Sequence, residues 1–300
     1  MKRPNFFIIG APKCGTSSLN NTLRWHPNIF VPLEFEPQYF CTDFQTIADY
    51  TPETYLQLFD GATEQHQAVG EKSVIYLYSD VAIDNILEFE PNARLILMLR
   101  NPVDLVYSWH SQLYYSFLEN IGDFKAAWNM QAVRQQGKNI PQRCPVPFAL
   151  QYREIGRLGK YTARLLAKAP REQVKIIFME DVHADIEKIY RETLEFLNVD
   201  YAPRRDPRKL NSNKRHRSRW LGSHLAHDSQ SKTSRVLSRI EKLPLIRKSN
   251  FRYRLHEWNK VEYKRPPLTP DMRQLLLDEF RDDVRELSEL TGRNLDHWQK

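Results

Sequence analysis

Phe6-Phe7-Ile8-Ile9-Gly10-Ala11-Pro12-Lys13-Cys14-Gly15-Thr16-Ser17-Ser18 is the stretch on which the fold turns. Its four apolar residues ending in glycine have the pattern of a short strand buried on both faces, as in the parallel sheets of α/β proteins. Ser17 to Trp25 has helical spacing, so the small-residue loop joins a buried strand to the start of a helix. Phosphate-cradling loops occur in this context, because glycines let backbone N–H groups converge and the helix end adds partial positive charge. A strand–helix turn without a ligand is the plainer alternative. Yet proline, lysine, two glycines and three hydroxyls within Gly10 to Ser18 exceed what a turn requires.

The Gly10-x4-Gly15 spacing matches the loop of nucleotide triphosphatases, but Thr16 stands where their lysine belongs and the loop's lysine comes earlier, at Lys13. A kinase or ATPase sets that missing lysine against the β/γ-phosphates and a hydroxyl on Mg²⁺. An early lysine followed by Thr16, Ser17 and Ser18 suits instead a donor with one 5′-phosphate and a terminal monoanion.

Working outward, Arg94 to Leu99 and Val174 to Met179 are two further apolar strand-like runs. Each follows a segment of helical spacing, Val81 to Phe89 and Lys160 to Ala169. Strand–helix alternation predicts a parallel sheet with crossover helices. Lys232 to Ile246 has the spacing of a basic amphipathic helix. Thr269 as N-cap, Pro270 in the first turn and Gly292 as terminator bracket a final helix with Leu276, Phe280, Val284, Leu287 and Leu290 on one face. Between Arg204 and Arg219, eight of sixteen residues are Lys or Arg, which predicts a loop or flap. The expected fold is one α/β domain over residues 1–300, P-loop-like and three-layered, with a central parallel sheet and additional C-terminal helices over about 232–300.

The chain's 300 residues, 41% hydrophobic and 27% charged, exclude a disordered, collagen-like or disulfide-scaffold protein. A formal net charge of +7 predicts a surface that attracts anions. Cys14, Cys41 and Cys144 are few, odd in number and without a CxxC pair, which favours a reducing compartment. The apolar or small run Phe6 to Ala11 is too short for a signal-peptide core, and no run approaches the ~20 residues that span a bilayer. A cytoplasmic protein is expected. The histidines show no HExxH or paired metal spacing, so no metal site is expected.

Phe7 to Leu19 resembles the 5′-phosphosulfate loop of sulfotransferases that use 3′-phosphoadenosine 5′-phosphosulfate, and three more segments agree in order and spacing. Glu34-Phe35-Glu36-Pro37-Gln38-Tyr39-Phe40 is similar to the Glu-Pro-His-Phe-Phe segment of heparan sulfate sulfotransferases, with Gln38 in place of their His. Gly70-Glu71-Lys72-Ser73 to Tyr76 resembles their Glu-Lys-x-x-x-Tyr segment. Arg94 to Ser108 resembles their 3′-phosphate motif, with Arg100 and Ser108 eight apart. The likeness covers most of the chain, is strong over residues 5–110, and is nearest to glycosaminoglycan N- and O-sulfotransferases and their bacterial relatives.

This resemblance implies sulfuryl transfer from that donor, without metal, to a hydroxyl or amine of an acceptor, a carbohydrate by the character of the motifs. It implies that Lys13, Cys14, Gly15, Thr16, Ser17 and Ser18 hold the 5′-phosphosulfate, and that Arg100 and Ser108 hold the 3′-phosphate. It selects Glu36, the residue before Pro37, as base over the neighbouring Glu34, and sets Lys72 with Lys13 beside the transferred group. Read from its own neighbours, Glu36 lies among Phe35, Tyr39 and Phe40 on backbone that Pro37 holds extended. Cys14 is expected to be inert, serving through its backbone N–H. The 204–219 segment resembles in part the late basic loop that closes over the 3′-phosphate, without its usual glycine. RNA binding is disfavoured there, because Trp220 is the one nearby stacking aromatic. Two other functions remain in play. One is an ATP/Mg²⁺ kinase using Val174 to Asp181 as the acidic strand, and the other is a non-catalytic binder of anionic polymer.

Overall fold

The computed structural model describes residues 2–33, 36–44, 50–204, 214–225 and 251–300. The expected helix at Lys232 to Ile246, Glu34 and most of the 204–219 stretch lie outside these residues.

Phe6–Gly10 forms β1, with Phe6, Phe7, Ile8 and Ile9 all fully buried. Each such side chain contributes about 1.5–3 kcal/mol by leaving water, so β1 anchors the sheet it sits in. Around it run β2 (Ile29–Phe30), β3 (Ala68–Lys72), β4 (Arg94–Leu99) and β5 (Val174–Phe178), all parallel, in the order β2-β3-β1-β4-β5. Gly70 permits the β1–β3 contact, since a Cβ there would lie 2.5 Å from the ring and carbonyl of Phe6.

Helices α1 (Thr16–Arg24), α2 (Pro52–Gln57), α3 (Ala82–Phe89) and α4 (Pro102–Tyr115) connect the strands, giving the expected α/β architecture. Pro102 opens α4 at its first turn, and the Asn101 side chain caps it by accepting the N–H of Val103. The helix Leu158–Lys168 begins at the carboxylate of Asp283, which accepts the N–H groups of Gly159 and Lys160. Asp283 belongs to the final helix, Pro270–Thr291, which is capped by Thr269 and ended by Gly292 at φ 65° as the sequence predicts. Leu276, Phe280, Val284 and Leu287 are buried there, but Leu290 is 38% exposed. It lies in the last turn, past the end of the packed face.

Part of the 204–219 stretch differs from the loop expected of it. Lys214–His216 forms β6, paired antiparallel with β7 (Lys260–Glu262), and Arg219 opens a further helix. Strand β7 lies more than forty residues away, so no local pattern announced the pairing.

Because the five-stranded sheet is parallel, the C-terminal ends of β1, β3 and β4 share one edge, where open α/β sheets bind ligands. Lys13, Lys72 and Arg100 all lie at or just beyond those ends.

Candidate functional site

The loop after β1 is built for close backbone approach. Gly15 holds φ 86° and would press a Cβ to within 3.0 Å of the Met179 sulfur, and Lys13 sits at φ 62°. Positive φ at Lys13 is uncommon for a residue with a Cβ. Gly15 is also the N-cap of α1 and supplies no side-chain cap, so the first N–H groups at Thr16 and Ser17 face an anion-favouring helix end. Cys14 is fully buried and donates to the carbonyl of Pro12 at 3.4 Å; burial pushes its thiol well up, away from the nucleophilic thiolate.

Three cations crowd this loop. Lys13 Nζ donates to Gln112 Oε1 at 3.3 Å, and its pKa is lowered first by burial and then by the charges of Arg265 and Arg100. Arg100 Nη1 donates to the carbonyl of Lys13 at 3.4 Å, and its Nη2 meets Asp104 at 3.3 Å. An ion pair with Asp104, four residues on, would also suit an Arg100 that merely caps its strand. It is half-exposed, however, and such pairs contribute only about 0–1 kcal/mol. Ser108 is buried on α4, two turns along from Arg100.

Sequence reasoning missed Arg265. Its Nη1 donates to Ser111 Oγ at 3.3 Å, its guanidinium lies 4.5 Å from the centre of the Tyr107 ring, and burial and the charge of Arg100 lower its pKa. A weak signal was available. Lys264-Arg265 directly precedes Pro266-Pro267 and the cap of the final helix, so the pair is held where that helix docks on α4. Beside it, between α4 and the β6–β7 pair, opens a cavity of about 710 Å³ lined by Tyr107, Tyr115, Tyr263, Arg215, Arg217 and Arg265.

On the other side of the loop, Lys72 Nζ donates to Glu36 Oε1 at 2.6 Å and to Ser17 Oγ at 3.4 Å. Lys72 is therefore no exposed lysine, its side chain being only 2% exposed. It ties the carboxylate to the loop. Of the aromatic residues expected to surround Glu36, Phe35 lies outside the described residues, and Tyr39 and Phe40 pack on Tyr55 and Phe7. Thus Lys13, Ser17, Lys72 and Glu36 come together at one edge, with Arg100 and Arg265 adjoining.

The acidic residues that an ATP/Mg²⁺ site would use lie past the end of β5, in the helix Met179–Ala184, and are committed elsewhere. Asp181 takes both forks of Arg293 at 2.5 and 2.7 Å, and Glu180 accepts the indole N–H of Trp298 at 2.7 Å. Among the described residues no group of three His, Cys, Asp or Glu has metal-holding geometry, and no helix is long and apolar enough to cross a membrane.

Residues 3–287 match the family described as the sulfotransferase domain. Carbohydrate sulfotransferase 15 of Homo sapiens is 28% identical over 250 residues, covering 65% of this chain and 44% of that protein. The bifunctional heparan sulfate N-deacetylase/N-sulfotransferase 3 of Homo sapiens is 25% identical over 314 residues, covering 98% of this chain and 31% of that protein. The chain thus spans less than half the length of these curated relatives. Among solved structures, a sulfotransferase from Alicyclobacillus acidocaldarius superposes with TM-score 0.71 at 26% identity, covering 100% of both chains.

Proposed function

The chain belongs to the sulfotransferase domain family, and from that premise we propose that it moves a sulfuryl group from 3′-phosphoadenosine 5′-phosphosulfate to a hydroxyl or amine of a carbohydrate. The observation that carries the reading is the pairing of two charge patterns across one loop. Like-charged Lys13, Arg100 and Arg265 stand on one side, and the Lys72–Glu36 pair at 2.6 Å stands on the other.

This donor fits the residues present. Its phosphosulfate matches the loop from Lys13 to Ser18, where the N–H groups of Thr16 and Ser17 open α1 while that of Ser18 bonds the Gly15 carbonyl at 2.9 Å, and a second phosphate matches Arg100, Ser108 and Arg265. The aromatic and arginine-lined cavity suits a nucleoside carrying that phosphate. A carbohydrate acceptor is supported by the names of the curated relatives and by the net charge of +7. A cytoplasmic setting is supported only by three cysteines that are free and buried.

The chemistry then divides among few side chains. Glu36 accepts the proton of the acceptor hydroxyl or amine as that oxygen or nitrogen bonds to sulfur. The S–O bond to the 5′-phosphate breaks, and its electron pair stays on the phosphate oxygen, where Lys13 meets the new charge. Lys72, released as Glu36 takes the proton, turns its ammonium to the oxygens of the moving group. Ser17 holds Lys72 toward the loop.

The test is Glu36→Gln, which keeps size and polarity and removes the proton acceptor. Transfer from labelled donor to a panel of glycans and small hydroxyl or amine acceptors should fall ~10²–10⁴-fold, with affinity for adenosine 3′,5′-bisphosphate near wild type. Full transfer in Glu36→Gln alongside loss in Glu34→Gln moves the base to Glu34. Full transfer in both removes proton abstraction by this segment.

A further inference from the structure

Glu71 and Lys72 are neighbours on β3 and so face opposite sides of the sheet. Lys72 meets Glu36 and the loop, whereas Glu71 is turned inward and is 1% exposed. Three hydroxyls surround it. Tyr55 on α2 and Tyr76, just past β3, donate to Oε1 at 3.1 and 2.6 Å, and Ser73 donates to Oε2 at 2.8 Å.

Two of those hydroxyls have a second task. While donating to Glu71, Ser73 Oγ also accepts the backbone N–H of Gln38 at 2.9 Å, and the Tyr76 oxygen accepts that of Phe40 at 3.5 Å. Both donating residues, Gln38 and Phe40, follow Glu36 within four positions. Gln38 sits at φ 57°, a conformation side-chain-bearing residues seldom adopt without an anchor. One buried carboxylate therefore orients two hydroxyls, and those hydroxyls hold the segment that carries Glu36.

We propose that Glu71 is a positioning residue for the reaction: acting through Ser73 and Tyr76, its carboxylate fixes residues 36–40 so that Glu36 lies against Lys72 beside the loop. The inference rests on Glu36 being the proton acceptor. Only the ionised carboxylate accepts from all three hydroxyls at once; an amide or a protonated carboxyl presents a donor to one of them and turns it around.

Burial pushes the Glu71 carboxyl up to about 7, against the pull of Tyr76, Ser73 and Tyr55 and with a further push from the charge of Glu36. Burial likewise raises the phenols of Tyr55 and Tyr76 and the thiol of Cys41, so these neighbours stay protonated from pH 6 to 8. In that window Glu71 switches between a form that organises the segment and one that does not.

The experiment is a cycle of Glu71→Gln, Glu36→Gln and the double variant, with Ser73→Ala as a milder second probe of the same link. Transfer from labelled donor is measured from pH 5.5 to 8.5 on the best acceptor of the panel, and binding of adenosine 3′,5′-bisphosphate reports that each variant is folded. Glu71→Gln should lower kcat roughly tenfold or more, with donor KM unchanged, and should lose a rise in kcat that wild type shows near pH 7. Ser73→Ala should lower kcat severalfold, and adding Glu71→Gln to Glu36→Gln should cost no more. Wild-type kcat in Glu71→Gln and Ser73→Ala overturns the proposal, as does full additivity in the double variant. An unimpaired Glu36→Gln is a different failure, visible in that single variant, and takes away the base on which the positioning depends.

Discussion

Glu119 and Arg134 meet as opposite charges in the core, whereas Lys13, Arg100 and Arg265 meet as like charges at the loop. The core pair is fully buried and bidentate at 2.5 and 2.7 Å, with Tyr152 adding a third bond at 2.6 Å. Burial pushes Glu119 up, but Arg134, Tyr152 and the Ile121 N–H outweigh it and bring the carboxyl below its usual value. At the loop, burial and neighbouring charge act in the same direction, lowering both Lys13 and Arg265. Charge matched inside the protein serves the fold. Charge left mismatched at the ligand edge of a sheet implies an anion that completes it.

Arg134→Ala should have the largest effect, because it strands Glu119 as a buried uncompensated charge. Such losses run to about 3–5 kcal/mol. Urea unfolding should show the drop, and bisphosphate affinity of the fraction that remains folded should stay at the wild-type value. A loss of affinity as large as the loss of stability would end the division between core pair and site.

Glu71 sharpens the contrast, since its buried carboxyl meets three hydroxyls rather than a guanidinium. Its folded pKa of about 7 lies above the ordinary carboxylate value of 4.5. Between those pH values the folded chain keeps a proton that the unfolded chain releases, so this group's stabilisation, complete below about pH 4.5, is lost as pH rises through 7. A shift of that size corresponds to a difference on the order of 3 kcal/mol. Glu119, shifted downward, acts in the opposite sense and loses its contribution as pH falls. Urea melts should show wild type losing stability relative to Glu71→Gln from pH 5 to 8; parallel curves would place the Glu71 titration elsewhere.

Arg100→Ala and Arg265→Ala come next. Each removes one charge-assisted contact of about 1.5–3 kcal/mol, so affinity for adenosine 3′,5′-bisphosphate should fall roughly ten- to a hundredfold. Relief of like-charge crowding should leave the ligand-free melting temperature unchanged or slightly higher. Calorimetric titration and a melt distinguish this from a structural role, in which both quantities fall together.

The smallest change is expected from Asp104→Ala. It frees Arg100 from a half-exposed ion pair worth at most about 1 kcal/mol, and so should tighten bisphosphate binding no more than about fivefold. Weaker binding would mean that Asp104 orients Arg100 rather than competing for it.

The strand Phe6–Gly10, the loop to Ser18, the apolar runs at β4 and β5 and the capped final helix were legible along the chain. Each is set by neighbours in sequence, through a continuous apolar run, the helical spacing of apolar residues, the positions of glycine, or a cap. The grouping of Lys13, Lys72 and Glu36 at one site was reached through resemblance to a family; the geometry adds the 2.6 Å contact that makes Lys72 and Glu36 a pair. Only the tertiary structure decided three other matters: that Arg265 crosses to α4, that β6 finds β7, and that Glu71 holds the Glu36 segment through Ser73 and Tyr76. The physical reason is common to all three. Local spacing specifies which face of an element is apolar, but a polar side chain takes its meaning from partners brought to it by packing, and those lie 154 residues away for Arg265 and 35 for the Ser73–Gln38 link.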